Sequence, residues 1–420
     1  MSTDWSDIDN RLLDPHWYVT EDYHEVFARL RREDPVHWTE NDWYGRHHWT
    51  LTRHDHIKEY LLNHEMYSSR WDTRVPVSPK RRTPEVRHAQ GWDVGVGTTD
   101  NPLHDLYRRP INKHFSVPAI GRMREDIESL VDEILGEVAG NGSCDIVADV
   151  AGEMPLRVIM RLLGIPESDW AYLRENTARW REPADPRWII DGDRVKTAEQ
   201  GLNAVMEYCT ELAMQRRREP RDDFATVIGN LEIDGDKLSI HEMKAWFSAM
   251  IAAGLETTRN GTSVGIWLFL THPEQRRLMA EDPGLVKGAV EEVLRWTTPT
   301  RNRLRIANAD HDFHGKRIRA GDWVVAMLPA ANRDEEVFEN PNAFDITRSP
   351  NEHLSFGMGI HMCLGRALAR LEMATLFPRL FEVMPDIEMS EEPTWIVDTS
   401  ATGFATMPVT FTPTELPARS

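Results

Sequence analysis

Apolar residues recur at Met243, Trp246, Phe247, Met250 and Ile251, the spacing of one buried face of an α-helix. Ser239-Ile-His-Glu242 opens that run as a capping box, and His272-Pro273 closes it, so the pattern predicts a single helix over 240–271. Such a helix is about 45–50 Å long, enough to cross a whole domain. Helical periodicity prevails from 102 to 296. Elsewhere the repeat shortens. Residues 36–53 alternate around Val36, Trp38, Trp49 and Leu51 and predict two strands joined at Tyr44-Gly45. Residues 303–328 are strand-like, with turns at His314-Gly315 and Ala320-Gly321, and 394–413 predicts a hairpin turning between Ser400 and Phe404. Residues 80–100, rich in Pro, Gly, Arg and Thr, and residues 330–352 carry no period and read as long irregular connections, the kind that is usually functional or mobile. The fold class is therefore mainly α with a smaller β part.

Composition narrows this picture. At 420 residues the length prior favours two or three domains, and 40% hydrophobic content supports a sizeable core. A net charge of −19 argues against nucleic acid as a partner, because phosphate binding needs a basic excess. The three cysteines, Cys144, Cys209 and Cys363, are too few for a disulfide framework, and Cys144 and Cys209 fit reduced thiols in a cytoplasmic protein. The first residues, Met1 to Asp7, are polar, with no apolar run long enough for a signal peptide or membrane anchor.

One of the cysteines stands in a setting of its own: Phe356-Gly-Met-Gly-Ile-His361-Met-Cys363-Leu-Gly365, followed by a helical run from Leu364 to Leu376. Glycines at 357, 359 and 365 let the backbone approach a flat ligand where a side chain would collide. His361 offers a polar ring at that ligand's edge. A thiolate at a helix N-terminus is favoured by the dipole and the free N–H groups there. This stretch resembles the haem-ligand loop of the cytochrome P-450 family, in which one cysteine thiolate holds the haem iron. The resemblance implies Cys363 as axial ligand, with Phe356 packed on the haem and Gly365 giving it room.

Three further segments fit the resemblance, in the family's order. Ala253-Gly-Leu-Glu256-Thr257-Thr258 lies inside the long helix, where Gly254 weakens the helix and threonine hydroxyls compete for its carbonyls, so a local opening with room for water is expected. It is similar to the family's oxygen-activation motif, which implies that Thr257 hydrogen-bonds dioxygen or nearby waters and that Glu256 relays protons. The acid is Glu, where relatives carry Asp or Glu. Glu292-Val-Leu-Arg295 shares a helix face and is similar to the family's buried structural Glu-x-x-Arg. A further Arg that completes this pair in many relatives is replaced by Ala343, leaving Asn342 or a backbone carbonyl to satisfy it. His104-Asp-Leu-Tyr-Arg108 places His and Arg one helical turn apart, a geometry suited to a carboxylate. The resemblance assigns His104 and Arg108 to a haem propionate, with Arg305 (Arg303 as its rival) and His361 completing the cations.

The resemblance runs from about residue 20 to 413 and implies one catalytic domain, 1–420, after a short polar segment 1–20 and without a fused reductase. It implies the cytochrome P-450 fold, with haem b between the long central helix and the cysteine-loop helix. The implied activity is a soluble, bacterial-type monooxygenase hydroxylating an unactivated C–H of a mid-sized hydrophobic substrate, terpenoid or steroid-like. It would use O2 and electrons from a ferredoxin and its NAD(P)H-dependent reductase, with no membrane partner. Arg108, Arg109, Lys113 and Arg366 are candidates for a donor-docking patch, or are scattered solvated cations. The expected substrate-pocket lining includes the 80–100 loop, residues 298–302 and Arg301. A peroxide-driven haem-thiolate peroxygenase or a non-catalytic haem protein would have no need of Glu256-Thr257. The seventeen histidines show no metal-ligand spacing.

Overall fold

The computed structural model describes residues 5–20, 23–40, 47–75, 83–89, 91–183 and 186–418. The chain divides into two compact units. The first comprises residues 1–81, 114–152 and 256–420; the second comprises 82–113 and 153–255.

The first unit holds the β structure. Its five-stranded sheet has the order Val36–Thr39, His48–Leu51, Trp323–Met327, Asn302–Ala307, Tyr67–Ser68, antiparallel except where Trp323–Met327 runs parallel to His48–Leu51. The expected 36–53 pair is present, with Trp38 opposite Trp49; its turn at Tyr44-Gly45 lies outside the described residues. The hairpin His311–Phe313/Lys316–Ile318 turns through His314 and Gly315, both with positive φ. The C-terminal segment is shared between two sheets. Thr394–Trp395 pairs with Phe404–Thr406, as expected, while Pro408–Thr410 joins Glu388–Met389 and Ser143–Asp145. Apolar side chains fill both sides of the large sheet, Leu304 and Val325 on one side and Val324 and Ala326 on the other, as strand alternation requires.

The long helix runs from Ile240 to Thr271 without a break, beginning in the second unit and ending in the first. Ser239 and Glu242 form the capping box, each side chain accepting the other's backbone N–H, at 3.2 and 2.8 Å. The next helix, Pro273–Glu281, starts on the proline that ends this one. The expected opening is not seen: the α-helix continues across Gly254–Thr258. Gly254 serves close packing, since a Cβ there would lie 2.7 Å from Ile159 Cδ1 of the helix Glu153–Leu163. In the C-terminal half, Gly261 and Gly265 likewise admit Met373 and Phe377 of the helix Arg366–Val383, which follows the cysteine loop.

The second unit is helical apart from the short pair Glu232–Ile233/Asp236–Lys237. The 80–100 stretch departs from the expectation of an irregular loop by forming the helix Pro84–Ala89. Turns follow, docked on the start of the long helix: Gly91, at φ +70°, sits so close to Ala245 that a Cβ would come within 2.6 Å of its side chain. Tyr107 of the helix Leu103–Asn112 donates its hydroxyl to Glu242 at 2.7 Å, tying that helix to the same cap. Among the described residues no helix is long and apolar enough to cross a membrane.

Two buried ionisable groups in the first unit make stability depend on pH. His37 lies between Asp9 (2.6 Å) and Asp34 (2.9 Å) and clamps the N-terminal segment to the sheet. Burial opposes its charge, but the two carboxylates prevail and raise its pKa. Glu372, on the helix after the cysteine, is raised from 4.5 to about 8 by burial alone, with no hydrogen-bond partner for Oε2. Both groups hold a proton in the fold that the unfolded chain releases, so both make the fold lose stability as pH rises. For Glu372 the window is between 4.5 and about 8; for His37 it begins at 6.5 and ends at the raised value.

The causes differ, and so do the expected mutants. His37→Gln removes an attraction, so its deficit in melting temperature should be largest at low pH and shrink as wild-type His37 deprotonates. A deficit that stays constant with pH would contradict a charged His37. Glu372→Gln removes a carboxyl that resists ionisation. It should match wild type near pH 5 and melt several degrees higher at pH 8, at an expected ~1 °C per kcal/mol for a chain of this size. A variant less stable at pH 8 than at pH 5, relative to wild type, would show that Glu372 is ionised in the fold.

Candidate active site

The site is anchored by a fully buried carboxylate. Glu292, on the helix Val286–Thr297, receives Arg295 Nη2 and Nε at 2.8 Å each, the Arg348 Nε at 3.2 Å, the Asn351 amide at 3.0 Å and the Asp345 backbone N–H at 3.0 Å. Arg295 spends its other protons on the carbonyls of Asn332, Pro341 and Ala343 at 2.7–2.8 Å. A buried ion pair is tolerable only with this degree of satisfaction. Ala343 thus contributes its carbonyl, one of the two substitutes expected, and the missing cation is supplied by Arg348. Sequence reading missed it because it lies five residues past the position searched, on an irregular segment without a period.

This cluster sets the stem of the cysteine loop. Asn332 donates to Thr298 Oγ1 and Ser355 Oγ, and accepts the Leu354 N–H at 2.7 Å. Ser355 in turn donates to the Leu294 carbonyl at 2.7 Å. The loop then folds on itself: the Cys363 N–H reaches the Phe356 carbonyl at 2.8 Å and the Met362 N–H the Gly359 carbonyl at 3.1 Å. Gly359, at φ +70°, rests against the Leu61 carbonyl, 2.8 Å from where a Cβ would stand. Cys363 is half-buried, and the Arg366 guanidinium donates to its carbonyl at 3.1 Å as the helix begins. Arg370 lies over the Phe356 ring at 4.5 Å and forms a two-point ion pair with Glu291 at 2.6 and 2.8 Å. His353 also bonds Glu291, and together these partners overcome burial to hold that carboxyl at about 2.

Next to the loop stand guanidinium groups. Arg303 and Arg305 alternate with Leu304 on one strand and so share a face. Arg305 is buried, donating to the Tyr60 and Leu61 carbonyls at 3.2 and 3.0 Å and lying 5.3 Å from the Tyr60 ring. Arg303 is pulled down to about 10, first by burial and then by repulsion from Arg74, with Cys363 partly offsetting. Arg74 is a member that sequence reasoning overlooked, since it borders the 76–82 stretch with no motif around it. Arg301, expected in a substrate pocket, is instead structural. It is fully buried, bonded to the carbonyls of Asp398 and Tyr18 and stacked on the Tyr18 ring at 4.7 Å.

Glu256 and Thr257 lie side by side on the long helix, both half-buried, between the buried Ile251 and Thr258. One turn on, buried Asn260 fits under Gly403, where any side chain would collide with it. In the second unit, His104 and Arg108 do share a helix face. His104 is buried, and its pKa is lowered first by burial and then by Arg108. Arg108 Nε donates to Asn112 at 2.8 Å, and Arg109 is exposed and paired with Asp105 at 2.7 Å.

The first unit's part of this arrangement fits a haem. Cβ atoms built at Gly357 and Gly365 meet nothing within 4 Å, leaving a cradle along the loop that holds Cys363. Three guanidinium groups gathered near one half-buried sulfur suit a flat group that brings its own carboxylates. A lone thiol at the start of a helix suits iron.

Comparison with known proteins leads to the same chemistry. The family model "Cytochrome P450" matches residues 187–408. The chain is 32% identical over 417 residues to the methyl-branched lipid omega-hydroxylase of Mycobacterium tuberculosis, covering 97% of this chain and 95% of the relative. It is 32% identical to the steroid C26-monooxygenase of Mycolicibacterium smegmatis, covering 87% and 84%. Among solved structures, CYP108D1 of Novosphingobium aromaticivorans superposes with a TM-score of 0.85 at 28% identity, over 97% of this chain and 99% of that one. CYP268A2 of Mycobacterium marinum, in complex with pseudoionone, does so with the same score and identity over 98% and 99%. Likeness along nearly the whole length, to proteins named as hydroxylases and monooxygenases, places the chain in the cytochrome P450 family: it is an oxidoreductase of the monooxygenase class, with haem b as its cofactor.

Proposed function

We propose that this monooxygenase hydroxylates an unactivated C–H bond of a mid-sized hydrophobic substrate, terpenoid or steroid-like, in a single catalytic domain in the cytoplasm. The observation that carries the reading is the pairing of Glu256-Thr257 on the long helix with the Cys363 loop in the same unit. The substrate class is supported by the relatives: a steroid C26-monooxygenase, a methyl-branched lipid omega-hydroxylase, and the Pseudomonas protein "Cytochrome P450-terp" at 30% identity. It is further supported by the structures of relatives in complex with pseudoionone and with testosterone.

Cys363 would hold the haem iron through its sulfur, with Phe356 against the ring and Gly365 leaving room for it. Arg305, with Arg303 and Arg74, would hold one carboxylate side in the first unit; His361, and His104 with Arg108 from the second, complete the assigned set. When bound, haem supplies the activation of O2 and the oxidation of the C–H bond. The chain's own residues govern protons and water. Thr257 Oγ1 can donate one hydrogen bond while accepting another, and so would hold a water beside the haem site. Glu256, only partly buried and next to Thr257 in the chain, is the group assigned to relay protons from solvent. Electrons would come from a ferredoxin and its NAD(P)H-dependent reductase. Lys113 and Arg366 are candidates for meeting the acidic donor; Arg108 is assigned to the haem, and Arg109 is paired with Asp105.

An optical titration of the ferric protein tests the substrate class. A terpenoid or steroid should shift the Soret band to shorter wavelength as it expels water from the pocket. A shift with fatty acids or aromatic acids alone would replace the proposed class. Thr257→Ala tests the proton role. Product formed per NAD(P)H consumed should fall by ~10²-fold or less, the scale of one general acid–base contact, with peroxide rising in its place. An unchanged ratio would remove Thr257 from proton handling.

A further inference from the structure

In the second unit, two histidines and an aspartate far apart in sequence converge. His88 lies on the helix Pro84–Ala89, Asp93 in the turns after it, and His241 in the first turn of the long helix. The Asp93 carboxylate bridges a nitrogen of each ring: Oδ2 is 2.5 Å from His88 Nδ1 and Oδ1 is 3.4 Å from His241 Nε2. The imidazoles lie 4.3 Å apart, inclined by 31°. One ligand atom from each residue falls within 4.8 Å of the other two. We propose that His88, Asp93 and His241 bind a divalent cation of the zinc class, which clips the 88–93 segment to the N-terminus of the long helix.

The donor set decides the class of ion. Two imidazole nitrogens and one carboxylate oxygen suit Zn2+, Ni2+ or Cu2+, whereas Mg2+ and Ca2+ prefer oxygen alone. Tetrahedral zinc with bonds of about 2.0–2.1 Å needs ligand atoms roughly 3.3 Å apart. The His241–Asp93 pair is already there at 3.4 Å. The His88 side chain is 66% exposed and can move its ring by rotation about staggered torsions without disturbing a core. Solvent access at all three residues leaves the fourth position to water.

The segment's other contacts show why a clip there has an effect. Gly91 already rests on Ala245, one turn along the long helix from His241. Arg87 lies 5.8 Å from the Trp92 ring. Asp93 is the far end of this docked stretch, and its side chain is hydrogen-bonded to His88 and His241. A coordinate bond at that end fixes the stretch at both sides of the Gly91 turn.

The experiment is Zn2+ binding to the full-length haem-loaded protein, by calorimetry and by competition with a chromophoric chelator. Wild type should bind one Zn2+ per chain at this site. His88→Gln and Asp93→Asn should each weaken binding by about tenfold or more, while an unchanged haem spectrum verifies folding. Added Zn2+ should slow amide hydrogen exchange in 88–93 in wild type and leave it unaltered in both variants. The absence of Zn2+ uptake by wild type, or uptake that both variants retain, overturns the proposal and leaves the cluster as hydrogen-bonded ion pairs.

Discussion

A single carboxylate, Glu292, has no contact with solvent, and the surrounding chain is arranged to satisfy it. Removing such a charge from water costs several kcal/mol, so it is stable only where donors converge from every side. Those donors come from Arg295 on the same helix and from Asp345, Arg348 and Asn351 on a segment with no regular structure of its own. The irregular segment acquires its shape from the charge it encloses. Arg295 extends the constraint to the carbonyls of Asn332, Pro341 and Ala343, and Asn332 hands it on to Ser355 at the base of the cysteine loop. The stem of the cysteine loop is therefore positioned by a chain of hydrogen bonds that starts at Glu292.

How much of this was legible depended on whether the responsible signal was local. The long helix was readable to within a residue, because its capping box, apolar face and terminal proline are all written in neighbouring positions. The hairpin at His314-Gly315 was readable because positive φ there demands a glycine or a permissive partner. The Glu292–Arg295 pair came through because its motif is contiguous. Arg348 and Arg74 did not, since each acts across space from a segment without periodicity. Arg301 was misread for a related reason: a cation near a pocket-forming stretch looks functional until its partners, backbone carbonyls of residues 18 and 398, are brought beside it by folding. Gly254 was read as a weak point in a helix, whereas it is a close contact with Ile159 that no propensity scale encodes.

The cations near the sulfur follow a common physical logic. Arg305 is supported by carbonyl acceptors and an aromatic face, which offset the cost of burying its charge. Arg303 lacks comparable support and is pulled down by burial and by Arg74. A carboxylate arriving there relieves the repulsion among like charges, which makes the site selective for an anionic ligand edge before any shape matching is considered.

The docking of Gly359 on the Leu61 carbonyl carries a consequence for how this enzyme can be altered. The loop is located by main-chain atoms: a positive φ, a carbonyl contact and two internal amide bonds. None of these depends on the side chains of Ile360 or Met362, whereas Met358 packs on the apolar core beside the sheet. Ile360 and Met362 form a palette whose polarity can be rewritten around a stationary sulfur, so electron-transfer energetics can drift during evolution, or be retuned by design, while the metal ligand keeps its place.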